Sequence, residues 1–300
     1  MKGNFSQINN MNKKNEKLLT SLSTELKDKT ILITGGAGSI GSALAKQLMK
    51  YPVKSVRILD VDEHSLFILN KKINDPRLRL LLGNILDKDR IEIASYETDI
   101  IIHAAAIKNI EISEFNPMET IDINVNGTVN MIKTVMKTKP KIFLNISTDK
   151  AVESTTLYGN TKQLGERITS WAGKHVEGIK FATIRFGNVI ETRGNVFEIW
   201  NNELANKQSL SITDPNMKRY FFHMEEAVNF ILQCIPLAHQ GEIFVPKMKS
   251  YNLKTLASKI STKHKIIGLR QGEKLNEILI SESEKNISKE RKDMWIIQPY

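Results

Sequence analysis

Residues Thr30 to Gly41 read TILITGGAGSIG, and this stretch decides the fold. Its first five residues are mostly β-branched or apolar and predict a buried strand, and a helical pattern follows the glycines. Between them, Gly35 and Gly38 permit a tight turn and a close approach of the backbone to a phosphate, while Gly41 allows close helix packing. The stretch therefore predicts the first strand, turn and helix of a dinucleotide-binding sheet.

The same alternation of strand and helix continues along the chain. A helix is expected over Ser42 to Met49 and a second strand ends at Asp60. Further strands are expected at Arg77 to Gly83, Asp99 to Ala104, Lys141 to Ser147 and Lys180 to Phe186. Strands that alternate with helices form a parallel sheet covered on both faces. We therefore predict an α/β fold, a Rossmann-like doubly wound parallel sheet with a smaller C-terminal substrate-binding region.

Three segments are expected along the chain. Residues 1–25 form a polar, Asn- and Lys-rich tail and the start of a short helix, in which Leu18, Leu22 and Leu26 recur at helical spacing. Residues 26–187 are expected to form the NAD(P)-binding Rossmann domain. Beyond that point the alternation weakens, so residues 188–300 are expected mainly to bind the substrate.

The composition is typical of a soluble globular enzyme. A chain of 300 residues with 41% hydrophobic content allows a sizeable core, and no apolar run approaches the ~18 residues of a membrane span. The net charge of +10 fits an anionic ligand, but the lysines are scattered, so nucleic acid is not an expected partner. The single Cys234 cannot form an internal disulfide, and no metal is expected. Because a signal-peptide core is lacking, we expect a cytoplasmic location.

Residues that follow the first strands complete the expected cofactor site. Asp60 can accept hydrogen bonds from the adenosine ribose, and with Asp62 and Glu63 it disfavours an added 2′-phosphate. NAD is therefore expected, and NADP is the alternative because Arg57 and His64 are close in sequence. The expected cofactor-binding residues are Gly35, Gly38, Ser39, Ile40, Gly41, Asp60, Asn84, Ile85, Ala104, Ala105, Ala106, Tyr158 and Lys162.

Residues 145–162 read NISTDKAVESTTLYGNTK and carry the chemistry. Tyr158 and Lys162 lie four positions apart on a predicted helix, so the ammonium group can lower the pKa of the hydroxyl from roughly 10. A tyrosine in this state can take a proton from an alcohol during hydride transfer. Asp149 and Lys150 stand just upstream, although alcohol oxidation needs neither. The pattern therefore indicates that a second reaction follows the oxidation.

The motifs TGGAGSIG, HAAAIK, NPMETIDINVNGT, NISTDKAV, YGNTK, RFGNV and LRQGEKLNE occur in this order. With them the chain resembles the extended short-chain dehydrogenase/reductase superfamily from about Leu26 to Ser281. Within it, the chain is most similar to the polysaccharide-biosynthesis (CapD-like) group of soluble inverting UDP-N-acetylglucosamine 4,6-dehydratases. The resemblance implies a UDP-sugar substrate, a 4-keto-6-deoxy product for surface glycans, and a homo-oligomer.

The resemblance also implies roles for individual residues. Thr148 would help to hold and deprotonate the sugar 4-hydroxyl, with Tyr158 as the base and Lys162 as its support. Asp149 would protonate the departing 6-hydroxyl, and Lys150 would remove the proton from carbon 5. The implied nucleotide-sugar contacts are Lys108, Asn188, Val189, Arg219, Arg270 and Glu273. For Arg270, a surface ion pair is the rival interpretation.

These roles require particular protonation states of the neighbouring residues Asp149 and Lys150. Lys150 must be neutral to act as a base, whereas Asp149 must be protonated to act as an acid. A simple ion pair would instead favour a protonated Lys150 and an ionised Asp149. The cleft must therefore keep the two groups apart, or the two must titrate as a coupled unit.

Two alternatives to this function stay open. The fold also serves epimerases and dehydratases of other nucleotide sugars. A non-catalytic NAD-binding regulatory protein is the third hypothesis, and the presence of both Tyr158 and Lys162 counts against it.

Overall fold

The computed structural model describes residues 21–270 and 272–300. The strands are β1 (Thr30–Thr34), β2 (Ser55–Asp60), β3 (Leu78–Leu82), β4 (Ile100–His103), β5 (Ile142–Thr148), β6 (Lys180–Phe186), β7 (Asn188–Val189), β8 (Leu210–Ile212), β9 (Lys218–Phe222), β10 (Gln240–Pro246), β11 (Lys249–Asn252), β12 (His264–Ile266), β13 (Ser288–Glu290) and β14 (Met294–Ile297).

The α-helices are α1 (Ser39–Leu48), α2 (Glu63–Ile73), α3 (Lys88–Ser95), α4 (Ile110–Phe115), α5 (Pro117–Ile121), α6 (Gly127–Thr138), α7 (Leu157–His175), α8 (Val196–Ala205), α9 (Met224–Cys234), α10 (Leu253–Ser258) and α11 (Glu282–Asn286). One π-helical turn over Asp122–Asn126 joins α5 to α6, and a 3-10 turn over Asp149–Ala151 follows β5.

Within the described ranges, nine strands form the main sheet in the order β13-β14-β10-β6-β5-β4-β1-β2-β3. Neighbours from β3 to β10 are parallel, whereas β14 and β13 pair antiparallel at one edge. The run from β3 to β6 has the 3-2-1-4-5-6 order of a doubly wound sheet, in which ligands bind beyond the carboxyl ends of the strands. This order reverses between β1 and β4, so a crevice opens there.

Two layers of helices cover this sheet. Leu44 of α1, Leu66 of α2 and Phe230 of α9 belong to the core on one face. On the other face, Met131 of α6 and Ala172 of α7 belong to a second core. Because both faces are buried, the central strands are almost continuously apolar, as expected of a parallel sheet. The predicted α/β fold and doubly wound sheet are confirmed.

The predicted strands of the first half agree with the structure to within one residue at each end. The first helix, however, begins at Ser39 rather than at the predicted Ser42. Gly38 already has the extended backbone of an N-cap residue, so the following residues enter the helix at once. A Cβ atom on Gly41 would lie 2.5 Å from the Gly36 Cα, which explains why this turn of helix needs glycine.

Residues 188–300 contribute to the main sheet as well as to two smaller ones. Strands β10, β14 and β13 extend the main sheet, while β11-β9-β7 and β12-β8 form separate small sheets around Trp200 and Phe221. The boundary placed after residue 187 stays a prediction. Of the predicted N-terminal helix, Leu18 lies outside the described residues, whereas residues 21–26 are helical and bury Leu22 and Leu26 in the core. In the part of the chain that the structure describes, no helix is both long and apolar enough to span a bilayer.

Candidate active site

A cleft of about 900 Å³ lies beyond the carboxyl ends of the central strands. Residues just after β1, β2, β4, β5 and β6 all contribute to its walls, which is where a doubly wound sheet places its ligands. All the residues expected to bind cofactor or nucleotide sugar line this cleft. Of the expected catalytic residues, Thr148, Lys150, Tyr158 and Lys162 line it, and Asp149 does not.

The glycine-rich loop between β1 and α1 is shaped to receive a phosphate. Gly35 has a φ of +63°, and a Cβ atom there would lie 2.6 Å from the Ala105 Cα, so only glycine fits. The N-cap residue Gly38 offers no side chain to cap α1, which leaves the first amides of the helix for a ligand. Asp60 holds this loop because its Oδ2 accepts a hydrogen bond of 2.9 Å from the Ala37 amide. These features fit the pyrophosphate of a dinucleotide.

The other expected cofactor residues line the cleft after β3 and β4. Asn84 and Ile85 follow β3, and the three alanines of residues 104–106 follow β4 with only small side chains. The Asn84 Oδ1 accepts a hydrogen bond of 2.9 Å from the Leu86 amide, which fixes its carboxamide. His103 is buried with both ring nitrogens hydrogen-bonded to threonine hydroxyls, and burial lowers its pKa to about 3. It is therefore a neutral packing residue.

Arg193, and not Arg57, lines the cleft beside Ser65, at the end where the ribose of a dinucleotide is expected. Arg57 donates hydrogen bonds to the carbonyl oxygens of Ala94 and Tyr96, away from the cleft. The Arg193 Nη2 lies 3.2 Å from the Ser65 Oγ, although the two residues are 128 positions apart. Its backbone amide also donates to the Ser39 Oγ over 3.1 Å. The Arg57 guanidinium is thus held by backbone oxygens in this structure, and its part in cofactor choice stays a prediction.

The 3-10 turn that carries Asp149 and Lys150 packs directly against α7. Strand β5 ends at Thr148, the 3-10 turn follows, and Thr156 caps α7 by accepting a hydrogen bond of 3.1 Å from the Gly159 amide. A Cβ atom on Gly159 would overlap the carbonyl oxygen of Lys150. The glycine of the YGNTK motif therefore allows the turn and the helix to touch, which brings Tyr158 and Lys150 to the same wall of the cleft.

Asp149 and Lys150 form an ion pair in this structure. The Lys150 Nζ lies 3.0 Å from the Asp149 Oδ1 and 3.4 Å from the Asn188 Oδ1. Burial alone would lower the pKa of Lys150, but the charges of Asp149 and Glu277 outweigh it and raise that pKa. The pairing with Asp149 thus favours the protonated form of Lys150. The two groups are therefore paired and not separated, and the coupled titration expected from the sequence stays a prediction.

Tyr158 and Lys162 are both buried at the wall of the cleft. Burial raises the pKa of the Tyr158 hydroxyl, while the charge of Lys150 and the Thr148 side chain act to lower it. Burial lowers the pKa of Lys162 to about 8, against the opposing charge of Glu166. The expected net lowering of the tyrosine pKa is therefore wrong for this structure, because the cost of burying the phenolate is the larger effect. Lys150, more than Lys162, supplies the positive charge that acts on the tyrosine.

The residues expected to bind the nucleotide sugar are held by contacts within the protein. The Lys108 Nζ donates to the Arg193 carbonyl oxygen over 2.8 Å, and the Asn188 Nδ2 donates to the Tyr220 carbonyl oxygen over 3.0 Å. Val189 is buried in the short strand β7. Each of these residues has an atom at the cleft surface.

The two expected arginines differ in their surroundings. The Arg219 Nη2 pairs with the Glu273 Oε1 at 3.2 Å and is almost fully buried. The Arg270 Nε pairs with the Glu111 Oε1 at 3.0 Å, and about half of each side chain is exposed. Arg270 thus forms a surface ion pair, which was the rival interpretation of this residue. It also lines the cleft.

Sequence reasoning missed two residues of this site, Arg193 and Glu277. Both line the cleft, and both come from segments without regular secondary structure. Glu277 is the last residue of the LRQGEKLNE motif and Arg193 lies in a glycine turn, but neither position by itself indicates a role in the site. Neither charge indicates which distant residue it contacts.

Residues 31–299 match the polysaccharide biosynthesis protein family, and the chain belongs to that family. A UDP-N-acetylglucosamine 4,6-dehydratase (inverting) of Campylobacter jejuni is 36% identical to this chain and aligns with 90% of it and 83% of that protein. A Methanocaldococcus jannaschii protein, named an uncharacterized membrane protein, is 39% identical over 94% of this chain and 90% of its own length. A UDP-glucose 4-epimerase of Rickettsia bellii is 34% identical over 86% of this chain and 79% of its own length.

Solved structures agree with this membership. Pen from Bacillus thuringiensis has a TM-score of 0.87 and 32% identity, covering 91% of this chain and 89% of its own. A dTDP-glucose 4,6-dehydratase of Streptomyces venezuelae has a TM-score of 0.77 at 19% identity, with coverage of 86% and 90%, and shares the fold. The resemblance to the polysaccharide-biosynthesis group of short-chain dehydrogenases is confirmed.

Proposed function

We propose that this protein is a nucleotide-sugar 4,6-dehydratase that acts on UDP-N-acetylglucosamine with bound NAD. The observation that carries the proposal is the position of Lys150, whose amine lies in the cleft wall beside Tyr158 and is paired with a buried carboxylate. An oxidoreductase site needs no such amine, whereas an elimination needs a base beside the oxidised sugar. The 36% identical Campylobacter jejuni dehydratase supports the same substrate.

The residues that would hold the dinucleotide are those of the glycine-rich loop, Asp60, and the segments after β3 and β4. When bound there, NAD would accept a hydride from carbon 4 of the sugar and return it to carbon 6. The Asp60 carboxylate already accepts amide hydrogen bonds from Ala37 and Asp62 and can also accept from a ribose hydroxyl. Tyr158 and Lys162 would contact the nicotinamide ribose from the opposite wall.

Tyr158 is proposed to take the proton of the sugar 4-hydroxyl, with Thr148 beside it. The positive charge of Lys150 favours the phenolate that this step requires. Oxidation at carbon 4 makes the proton on carbon 5 acidic, and Lys150 is the amine placed to take it. For that step Lys150 must first lose the proton that its pairing with Asp149 stabilises. A substrate that displaces water from the cleft would favour the neutral amine of Lys150, because burial disfavours its charged form.

An epimerase on the same fold is the second candidate. The ion pair itself favours it, because a protonated Lys150 could assist oxidation at carbon 4 without removing a proton from carbon 5. The 34% identical Rickettsia bellii epimerase also supports this candidate. Incubation with UDP-N-acetylglucosamine distinguishes the two. We expect a 4-keto-6-deoxy sugar, detectable by its absorbance in alkali, and recovery of only an isomer would overturn the proposal in favour of the epimerase.

We also propose that the protein assembles as a homo-oligomer in the cytoplasm, where nucleotide sugars are made. Large apolar side chains are exposed on α4, α5 and α7, including Phe115, Met118, Leu164 and Trp171. Exposed apolar side chains of this size on adjacent helices are typical of an interface. Light scattering on the purified protein tests the assembly, and a mass equal to one chain would exclude it.

A further inference from the structure

A strongly basic stretch of the chain reaches the cleft, where its residues Ile267 and Arg270 line the wall. Residues 243–272 contain six lysines and one arginine but no aspartate or glutamate. Lys247 pairs with Glu290, and Arg270 pairs with Glu111. The remaining lysines are exposed and form no ion pair with any residue that the structure describes: Lys249, Lys254, Lys259, Lys263 and Lys265. Their charges are therefore available to attract an anionic partner.

Helix α10 and strand β12 hold most of these lysines at the surface. Helix α10 buries Leu253 and Ala257 and leaves Lys254 exposed. Strand β12 pairs with β8 on one side, and within the described ranges no strand pairs with its other edge. Lys263 and Lys265 lie just before and within this edge strand. The basic stretch thus forms the outer edge of its part of the fold.

Large apolar side chains are exposed among the same lysines. Ile260, Ile266, Ile267 and Leu269 are between 37% and 53% exposed, and no acidic residue separates them from the lysines in the sequence. Exposed aliphatic groups beside cations are typical of a surface that lies on a membrane. The basic-apolar surface is defined by these four apolar residues and by Lys254, Lys259, Lys263 and Lys265.

We propose that the basic-apolar surface docks the protein on an anionic phospholipid bilayer. The lysine ammonium groups would contact lipid phosphates, and the apolar side chains would enter the boundary between headgroups and acyl chains. Peripheral proteins commonly combine these two attractions to bind stably. The cytoplasmic leaflet carries anionic lipids, so the proposed cytoplasmic location provides such a surface. The docking does not depend on the proposed dehydratase activity.

The composition of this surface fits lipid better than nucleic acid. Between Leu253 and Arg270 there is no phenylalanine, tyrosine or tryptophan on which a base could stack. The cations of the surface are all lysines, whereas the planar fork of arginine is the group best suited to bases. Exposed aliphatic side chains would also gain nothing from a phosphate backbone. An anionic bilayer provides partners for both the charges and the apolar groups.

Sedimentation of the full chain with lipid vesicles tests the docking. Vesicles of phosphatidylcholine alone are compared with vesicles that contain equal parts of phosphatidylcholine and phosphatidylglycerol. The protein should bind the anionic vesicles at least about tenfold more tightly than the neutral ones. The binding should weaken as added salt screens the charges.

Two double variants separate the contributions of charge and of apolar contact. Lys259→Glu/Lys263→Glu reverses two charges, and Ile266→Ser/Leu269→Ser removes two exposed apolar side chains. Each should lower the affinity for anionic vesicles by about tenfold or more. None of these four residues lines the cleft. Thermal unfolding without vesicles should match that of the wild type, which shows that each variant is folded.

Matched controls make the same changes on the other half of the molecule. Lys50→Glu/Lys88→Glu alters the net charge equally on two exposed lysines. Leu82→Ser/Ile93→Ser removes apolar side chains that are 52% and 63% exposed. Both controls should bind anionic vesicles nearly as tightly as the wild type.

Several results would overturn the proposal. Equal binding to neutral and anionic vesicles, or binding to neither, would exclude an anionic bilayer as the partner. Equal losses in a variant and in its matched control would mean that this surface is not the site of contact. Unchanged binding in Ile266→Ser/Leu269→Ser would exclude the apolar contact.

Two further results would assign the surface to a different partner and so overturn the proposal as well. The first is tighter binding to a single-stranded oligonucleotide than to anionic vesicles, lost in Lys259→Glu/Lys263→Glu, which would indicate nucleic acid. The second is an assembly in solution whose mass by light scattering falls in Ile266→Ser/Leu269→Ser, which would indicate a contact between copies of this chain.

Discussion

Arg185 donates two hydrogen bonds to Glu284, one of 2.9 Å from Nη1 to Oε2 and one of 2.7 Å from Nη2 to Oε1, although 99 positions separate the two residues. The same guanidinium pairs with Glu166 at 2.6 Å, and Arg185 and Glu166 are each only 1% exposed. This buried triad joins β6, α7 and α11. It therefore connects α7, the helix that carries Tyr158 and Lys162, to the C-terminal part of the fold.

Arg185→Met should therefore destabilise the protein strongly. It removes a cation that pairs with two buried carboxylates, and breaking a buried pair in this way typically costs about 3–5 kcal/mol of unfolding free energy. Urea denaturation measures the change, with the exposed Arg291→Met as the matched control, which should stay within about 0.5 kcal/mol of the wild type. An Arg185→Met protein as stable as the wild type would show that the triad contributes no net stability.

Stability should also decrease in acid because of Glu284. Burial alone would raise its pKa, but the hydrogen bonds and charge of Arg185 hold the pKa at about 2, below its ordinary value of 4.5. A lowered carboxyl pKa contributes stability that is complete above pH 4.5 and is lost as the pH falls towards 2. Denaturation at a series of pH values should show this loss, and Glu284→Gln should flatten the dependence in that window. If the unfolding free energy of Glu284→Gln depends on pH as steeply as that of the wild type, other groups cause the acid sensitivity.

Arg193→Ala should weaken cofactor binding. The guanidinium lies beside Ser65 and near Asp62 at the ribose end of the cleft, so its loss removes a charged contact, typically worth about tenfold or more in affinity. We expect the affinity for NADP to fall more than that for NAD, since only NADP carries the additional phosphate. Calorimetric titration measures both, and Arg57→Ala, which changes an arginine outside the cleft, should leave both affinities unchanged. Equal losses of affinity in Arg193→Ala and Arg57→Ala would contradict a cofactor contact by Arg193.

Replacing Lys150 should separate the two half-reactions. Lys150→Ala should lose water elimination by about 100-fold or more while reduced cofactor still accumulates. Because the charge of Lys150 lowers the pKa of Tyr158, its removal should also shift the pH profile of the oxidation to higher pH. Lys150→Arg keeps the charge but provides no base, so it should lose elimination without the shift. Tyr158→Phe should stop both steps, and full dehydratase activity in Lys150→Ala would remove this residue from the mechanism.

Gly159→Ala should damage both stability and activity. The added methyl group would overlap the Lys150 carbonyl oxygen and the Ser154 hydroxyl, so the turn over Asp149–Ala151 must move away from α7. Overpacking of this kind costs about 1–3 kcal/mol. Thermal unfolding and dehydratase assays measure the two effects, with the exposed neighbour Asn160→Ala as the control. Wild-type activity in Gly159→Ala would show that the turn tolerates displacement.

The sequence by itself determined the parallel sheet and the place of the chemistry within it. TILITGGAGSIG predicts its own strand, turn and helix because those preferences act between near neighbours, and the positions of Tyr158 and Lys162 follow from the helical repeat alone. For the same reason, the strands of the first half agree with the structure to within one residue.

Only the tertiary structure decided which charged groups meet. Arg193 lines the cleft and Arg57 does not, and Glu277 lines it while Asp149 is fully buried. Burial raises the pKa of Tyr158, against the lowering expected from its spacing to Lys162. These relationships join residues that are far apart in the chain, through segments whose conformation no local pattern specifies. Burial, which sets the direction of the pKa shifts, is likewise a property of the packed protein and not of any short stretch of sequence.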